Sequence, residues 1–231
     1  MGTAFDPLLI FKFIPTLLEN LAVTIEILVI SIVLGLFAGI VLAIIRHYDI
    51  PVLKQLVVIY VSFIRGTPII IQLFLVFYGL PEVLELIGIN VRRVDALIFV
   101  IITYALSNAA SFTEIFRGAL RAVHRGQVEA ALSIGMTQRQ SFLYILFPQS
   151  LRIAFPNIAN TVISSLKDTS LAFTVGIIDI MGRGETLIAA TMHALEVYLA
   201  LSIIYYVIVL LLERGFKWGE KSISKHDTQL N

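Results

Sequence analysis

The stretch Leu17–Ile45 reads LLENLAVTIEILVISIVLGLFAGIVLAII and is followed directly by Arg46-His47. Its only charged side chains are Glu19 and Glu26, which lie near its beginning. A helix needs about 20 predominantly apolar residues to cross the hydrocarbon core of a bilayer, and this stretch is longer than that. It therefore predicts a membrane-spanning helix that ends at a basic pair.

The composition of the whole chain also indicates a membrane protein. The chain has 231 residues, of which 58% are hydrophobic and 14% are charged, whereas ordinary soluble domains carry about 25% charged residues. This deficit argues against a soluble globular protein and against a disordered one. The net charge of +1 gives no basic footprint for nucleic acid. Because the chain has no cysteine, disulfides, thiolate nucleophiles and Cys-ligated metal sites are excluded.

Five apolar stretches predict about five membrane-spanning helices. The second apolar region, Val52–Leu80, is interrupted by Arg65-Gly66-Thr67-Pro68, so we expect an interfacial or partly inserted helix up to Phe63 and a span from about Pro68. The predicted spans cover residues 17–45, 68–80, 96–116, 153–178 and 197–212. The predicted fold class is all-α, a polytopic membrane helix bundle that forms a single transmembrane domain over residues 1–231.

The distribution of basic residues predicts the orientation of the chain. Five spans place the two termini on opposite sides of the membrane, and the side richer in Lys and Arg is the cytoplasmic one. The connections on one side hold eleven basic residues, Arg46, Lys54, Arg117, Arg121, Arg125, Arg139, Arg152, Arg214, Lys217, Lys221 and Lys225. The other side holds four, Lys12, Arg92, Arg93 and Arg183. The amino terminus is therefore predicted outside and the carboxyl terminus inside.

The longest predicted cytoplasmic connection, residues 117–152, contains two short helical patterns. Gln127–Ile134 suits a helix that is closed by Gly135, at a position where a left-handed residue is favoured. Thr137 is the predicted cap of a second helix, with Gln140 as its capping-box partner. Pro148 predicts where this second helix stops or bends.

The first of these two helices predicts a docking surface. Ala130 and Ala131 would keep an exposed face flat, and Glu129 would offer a charge to a basic group of a partner. The alternative is a folded surface loop that is tucked under the bundle, and composition alone does not decide between the two.

The same connection carries a characteristic spacing: Glu129-Ala130-Ala131, three residues, Gly135, nine residues, then Ile145-x-Phe147-Pro148. This spacing resembles the EAA loop of ABC importer permeases, in which Leu usually stands where this chain has Phe147. Three further stretches are similar to segments of polar amino acid importers. They are Phe63–Gln72 (FIRGTPIIIQ), Thr113–Gly118 (TEIFRG) and Lys167–Leu171 (KDTSL).

The resemblance implies a MetI-like permease subunit of a histidine/glutamine/arginine-type amino acid importer in a bacterial or archaeal cell membrane. It implies that the EAA helices, at about residues 121–150, dock on a separate cytoplasmic ATPase subunit. The coupling residues that it implies are Glu129, Ala130, Ala131, Gly135 and Pro148. Further implied partners are a second permease copy, identical or paralogous, and an extracytoplasmic substrate-binding protein. The chain would be no enzyme and would hold no cofactor, because ATP and Mg would be bound by the partner ATPase.

The sequence itself agrees with the need for a separate ATPase. The nearest look-alike of a phosphate-binding loop, Gly215–Ser222, has Glu where the motif requires Lys, and it follows a membrane span. His47 and His193 lack partners at metal-ligand spacing, so we predict no metal site.

Two predicted spans carry polar stripes at helical spacing. On the fourth span, the polar side chains that fall within about 100° of arc are Asn157, Asn160, Thr161, Ser164 and Asp168. On the third span, a similar stripe holds Thr103, Ser107, Ser111 and Glu114, whereas Asn108 lies off that face. Because polar groups at membrane depth avoid lipid, these faces predict a wet cavity, a dimer seam or both. Hydrogen bonding between helices is the alternative.

Glu114 and Asp168 are the charged members of the predicted substrate site. For Glu114, the alternative is an ion pair with Arg117 one turn away. Two carboxylates would complement a cationic side chain, so we expect a basic amino acid, with glutamine left open. The other predicted substrate contacts are Ser107, Ser111, Asn160, Ser164, Thr67 and Gln72.

The Arg65–Pro68 break predicts a second feature that could bind substrate, the N-terminus of a helix. A helix that starts at Pro68 would aim its positive end at an anionic group such as an α-carboxylate, with Thr67 as its cap. A plain helix–turn–helix at the inner interface is the alternative. Gln72 shares a face with Arg65 only if the helix continues through Pro68.

Two other functions compete with transport by an importer. An intramembrane enzyme is disfavoured because the spans contain no His-x-x-x-His, Gly-x-Ser-x-Gly or paired aspartates. An ion channel would not need a two-helix cytoplasmic segment.

Overall fold

The computed structural model describes residues 5–91 and 93–224. Arg92 and Lys225, two of the basic residues from which the orientation is predicted, lie outside the described residues. The described chain is built from α-helices connected by short turns. The helices are α1 (Pro7–Leu18), α2 (Leu21–His47), α3 (Leu53–Gly66), α4 (Ile69–Phe74), α5 (Leu80–Leu86), α6 (Ala96–Ala122), α7 (Arg125–Ser133), α8 (Gln138–Ser141), α9 (Phe147–Asp168), α10 (Ile180–Thr191) and α11 (Ala194–Ser224). The predicted all-α bundle is confirmed.

Four helical stretches of the described chain are long and apolar enough to cross a membrane. They are Leu21–His47, Ile69–Leu86, Ala96–Ala122 and Ala194–Lys221. The fourth predicted span, residues 153–178, corresponds to α9 and a 3-10 turn over Thr169–Val175. Its polar stripe makes α9 less apolar than the others, and α9 packs inside the bundle against α2, α6 and α11.

The largest helix contact of the bundle joins α2 to α6. Gly35 and Gly39, one turn apart, are buried on α2 where it meets α6. A Cβ atom on Gly35 would lie 2.6 Å from Asn108 Cβ, and one on Gly39 would lie 2.5 Å from Phe112 Cβ. The glycines therefore allow a close approach of the two backbones, as in small-residue packing of membrane helices.

The break before Pro68 is confirmed. Helix α3 ends at Gly66, and α4 begins at Ile69. The span then runs beyond the predicted end at Leu80, because a π-helical turn over Leu75–Gly79 joins α4 to α5, which ends at Leu86. It is the least buried of the four spanning stretches.

The two-helix segment between α6 and α9 has the predicted end signals. Gly135 has a φ of 90°, and the amides of Gly135 and Met136 donate to the carbonyls of Leu132 at 3.0 Å and Ala131 at 3.1 Å. This is a Schellman closure. The Thr137 hydroxyl accepts from the Gln140 amide at 3.3 Å, and Gln140 Oε1 accepts from the Thr137 amide at 2.8 Å, which completes the predicted capping box.

The helix after Thr137 does not stop at Pro148. A π-helical turn over Phe142–Leu146 connects α8 to α9, and Pro148 lies in the first turn of α9. The first turn of a helix tolerates proline because its amides have no partner inside the helix. The segment is therefore continuous with the helix that carries the polar stripe.

At the opposite end of the bundle, α1, α10 and α11 pack around a shared core with Leu17, Ile180 and Val197 fully buried. The buried carboxylate of Asp179 caps α10 by accepting from the Gly182 amide at 2.9 Å. It also lies 3.4 Å from Thr24 Oγ1 on α2. These contacts tie the short helices to the long ones.

Candidate functional site

A polar cleft of about 690 Å³ lies between α6 and α9. Its lining consists of Arg65, Ser111, Glu114, Ile115, Arg117, Asn157, Asn160, Thr161 and Ser164. The cleft brings together four of the predicted substrate contacts: Ser111, Glu114, Asn160 and Ser164. The exposed side chains of Asn157, Asn160 and Ser164 come from the predicted stripe of α9.

Glu114 lies at one end of this cleft in a cluster of arginines. Its Oε1 accepts from Arg46 of α2. Its Oε2 accepts from Nε of Arg117 at 2.9 Å and from Nη2 at 2.5 Å. Arg65 Nη1, from the end of α3, lies 4.0 Å from the same oxygen. The predicted pair with Arg117 is thus present, and Arg46 is a partner that the sequence analysis did not identify.

Asn108, which helical periodicity places off the polar stripe of the third predicted span, connects three helices. It is buried, its Oδ1 accepts from the Ser165 hydroxyl of α9 at 2.5 Å, and its Nδ2 lies 3.5 Å from Ser31 Oγ of α2. The stripe residues Ser107 and Thr103 lie outside the cleft lining, and the Thr103 hydroxyl donates to the Phe99 carbonyl at 2.8 Å. Interhelical hydrogen bonding therefore occurs next to the stripe.

The side chains at the α3–α4 break stabilise the end of α3. The Thr67 hydroxyl donates to the carbonyl of Phe63 at 2.9 Å, so the expectation that Thr67 caps the following helix is wrong. Gln72 is buried, and its Nε2 donates to the carbonyls of Ile64 at 2.8 Å and Thr67 at 2.9 Å. These bonds satisfy carbonyls that lost their helical partners at the break. Neither Thr67 nor Gln72 lines the cleft.

Asp168 lies at the end of α9, outside the cleft lining. Its backbone carbonyl accepts from the Tyr104 hydroxyl at 2.7 Å. Within the described residues, its half-buried carboxylate accepts no hydrogen bond. The structure therefore does not bring Asp168 to Glu114, although both are predicted site residues.

The sequence matches a family described as the binding-protein-dependent transport system inner membrane component, over residues 31–225. The chain belongs to this family. The permease is 50% identical over 230 residues to the L-cystine transport system permease protein TcyL of Bacillus subtilis (strain 168), with 100% of this chain and 96% of that protein covered. It is 31% identical over 208 residues to the glutamine transport system permease protein GlnP of Escherichia coli (strain K12), with 90% and 92% covered.

A solved structure supports the same assignment. A crystal structure of an amino acid ABC transporter superposes on the permease with a TM-score of 0.85 and 27% identity, and covers 95% of this chain and 100% of that one. The permease is therefore a multi-pass inner membrane protein and a subunit of an amino acid ABC importer, and such a subunit is not itself an enzyme.

The EAA segment, residues 124–148, presents part of its predicted docking surface. Glu129 and Ala130 of α7 are exposed. Ala131 is 5% exposed, so the expectation that both alanines lie on the exposed face is wrong for Ala131. Successive helical residues are separated by about 100°, and this rotation turns Ala131 inward, where its carbonyl accepts the Schellman bond from Met136.

A metal centre has no support in the described part of the permease. No group of three or more His, Asp or Glu side chains there is arranged to hold a metal ion. His193 lies 3.1 Å from Glu196 Oε1, which is a pairing within one helical turn.

Proposed function

We propose that the permease forms the path through which an ATP-driven importer moves a polar amino acid, by alternating access to the cleft between α6 and α9. The observation that carries this proposal is the cleft itself. It is a polar and charged space in a bundle whose outer faces expose large apolar side chains such as Phe37 and Leu75. Polar groups at membrane depth mark substrate pathways by default.

The EAA segment is the proposed site of force transmission. Its exposed α7 face would dock on a partner ATPase, which would bind ATP and Mg, and Glu129, Ala130, Ala131, Gly135 and Pro148 are the proposed coupling residues. Because α8 continues through the π-helical turn into α9, a push on this segment would reach the helix that carries the Asn157–Ser164 face of the cleft.

Substrate-stimulated ATP hydrolysis tests this coupling. The permease, its ATPase and its binding protein are reconstituted, and ATP turnover is measured with and without substrate. Gly135→Asp places a β-carbon at a φ of 90°, where residues other than glycine are uncommon, and adds a negative charge to the EAA segment, so it should abolish stimulation. Gly215→Asp is the control, because Gly215 is a helical, exposed glycine with no neighbour within 4 Å of its added Cβ. Unchanged stimulation in Gly135→Asp would count against the proposal.

Cystine is the first candidate substrate. The relative that is named as an L-cystine permease is 50% identical over the full chain. The cleft lining agrees with a neutral, zwitterionic substrate, because both oxygens of its carboxylate, Glu114, already accept from arginines. Apart from Arg65 and Arg117, the remaining polar lining is uncharged and consists of Ser111, Asn157, Asn160, Thr161 and Ser164.

A basic amino acid is the second candidate. It is favoured by the arginine transport system permease ArtQ of Bacillus subtilis (strain 168), which is 33% identical to this chain over 214 residues. Competition by L-cystine, L-arginine and L-glutamine for uptake separates the candidates. If arginine competes best, the basic assignment holds and the cystine assignment fails; if cystine competes best, the basic assignment fails.

We also propose that a second permease copy, identical or paralogous, covers the exposed polar face of α9. Asn157, Asn160 and Ser164 are exposed in the single chain, and such groups do not face lipid. Because the chain has no cysteine, a single Asn157→Cys substitution gives a clean cross-linking probe. A disulfide-linked permease dimer is expected for Asn157→Cys and not for Phe37→Cys. The reverse pattern would contradict this placement.

A further inference from the structure

The arginine cluster at the end of the cleft has more positive than negative charge. Three guanidinium groups, from Arg46, Arg65 and Arg117, surround the single carboxylate of Glu114. In the lining of the cleft, as far as the structure describes it, Glu114 is the only acidic side chain. The cluster therefore has an excess of two positive charges.

The three arginines differ in how firmly they are held. Arg46 and Arg117 donate hydrogen bonds to Glu114, and their side chains are 16% and 27% exposed. Arg65 lies 4.0 Å from Glu114, beyond hydrogen-bond distance, and its side chain is 56% exposed. Arg65 is thus the arginine of the three that makes no hydrogen bond to Glu114 and has the most exposed side chain.

A hydrogen bond to the backbone next to Arg65 helps to fix the position of this residue. Gln72 donates to the carbonyl of Ile64, the residue directly before Arg65, at 2.8 Å. This bond holds the last turn of α3 against α4. The guanidinium then lies where two spaces meet, the cleft of about 690 Å³ and a hollow of about 460 Å³ that Arg65 and Glu114 also line.

An excess of positive charge favours an anionic ligand, and guanidinium groups bind carboxylates through charge-assisted, often bidentate hydrogen bonds. Every amino acid has an α-carboxylate. The arginines can offer it a positive charge, whereas uncharged lining residues such as Ser111 and Ser164 offer only dipoles. We propose that Arg65, assisted by Arg117, binds a carboxylate of the transported amino acid, and that Glu114 is a positioning residue which holds Arg46 and Arg117. This inference rests on the proposed function, because it takes the cleft as the path.

Direct binding to the purified permease–ATPase complex, without binding protein and in neutral detergent, tests the inference. The probes are L-cystine, compared with its dimethyl ester, and L-arginine, compared with its methyl ester, so that each ester has no carboxylate charge left. The wild-type complex should bind the free acid of its substrate about 10- to 100-fold more tightly than the ester, since a charged hydrogen bond is lost. In Arg65→Gln this preference should fall to about onefold, and Arg65→Lys should keep part of it.

The control variant is Arg214→Gln, an exposed arginine of α11 that does not line the cleft, which should keep the full preference. An Arg65→Gln complex that still discriminates acid from ester would overturn the inference while leaving the proposed function intact. Equal competition by inorganic phosphate would also overturn it, because the site would then be a general anion site. A wild-type complex that binds no amino acid would also overturn the inference, whereas the proposed function fails only if the complex with its binding protein shows no substrate-stimulated ATP hydrolysis.

Discussion

Replacing Gly39 with Ala tests whether the close contact of α2 with α6 holds the bundle together. The added Cβ would lie 2.5 Å from Phe112 Cβ and 3.1 Å from the Ala109 carbonyl oxygen. Ordinary carbon–carbon contacts are about 3.5–4.0 Å, so the two helices must separate by about 1 Å. Overpacking of this kind costs about 1–3 kcal/mol. At about 2–4 °C per kcal/mol for a chain of this size, the melting temperature should fall by about 2–12 °C.

Thermal unfolding of the purified complex in detergent measures this shift. The matched control is Gly118→Ala on α6, where an added Cβ meets nothing within 4 Å. Because alanine favours the helix over glycine by up to about 1 kcal/mol, the control should melt at the wild-type temperature or slightly above it. If Gly39→Ala and Gly118→Ala melt within about 1 °C of each other, the packing argument is wrong.

Three further substitutions test local contacts. Thr137→Ala removes the hydroxyl that accepts from the Gln140 amide and should destabilise the EAA segment by about 1 kcal/mol; hydrogen exchange at the Gln140 amide measures this, and unchanged protection would contradict it. Asn108→Leu leaves the Ser165 hydroxyl without its buried acceptor and should cost about 1–3 kcal/mol, read as a lower melting temperature, whereas an unchanged melting temperature would show that the bond is dispensable. Gln72→Leu removes the side-chain donor to the Ile64 and Thr67 carbonyls at the α3–α4 break, so hydrogen exchange should rise over residues 69–72, and equal exchange would show that these bonds do not stabilise the break.

The features that the sequence predicted best depend on residues close together in the chain. The left-handed Gly135, the capping box of Thr137 and the break before Pro68 each follow from the backbone preferences of a few neighbouring residues. The length and apolar character of the spans follow equally from local composition.

The features that the sequence missed depend on the register between distant helices. Asn108 and Ser31 are 77 positions apart, and Arg46 and Glu114 are 68 positions apart. Helical periodicity gives the face of each residue on its own helix but not the rotation of one helix against another. For this reason the sequence identifies Arg46 as a basic residue at the end of the first span, but not as a partner of Glu114.

Thr67 shows a second reason for a wrong prediction. Its position before Pro68 predicted a cap for the following helix, but its hydroxyl donates backwards to the Phe63 carbonyl. Threonine bonds to a carbonyl four residues earlier and to the amides of a following turn are both common. The freed carbonyls at the end of α3 decide the choice, because Pro68 donates no amide to them.

Uptake into proteoliposomes tests the central claim most directly. Vesicles that contain the permease, its ATPase and its binding protein are loaded with ATP or left without it, and labelled L-cystine, L-arginine or L-glutamine is offered. The account predicts accumulation of one of these amino acids above its outside concentration, only with ATP, and loss of accumulation in Gly135→Asp but not in Gly215→Asp. Equilibration at the same rate without ATP, or full accumulation in Gly135→Asp, would contradict it.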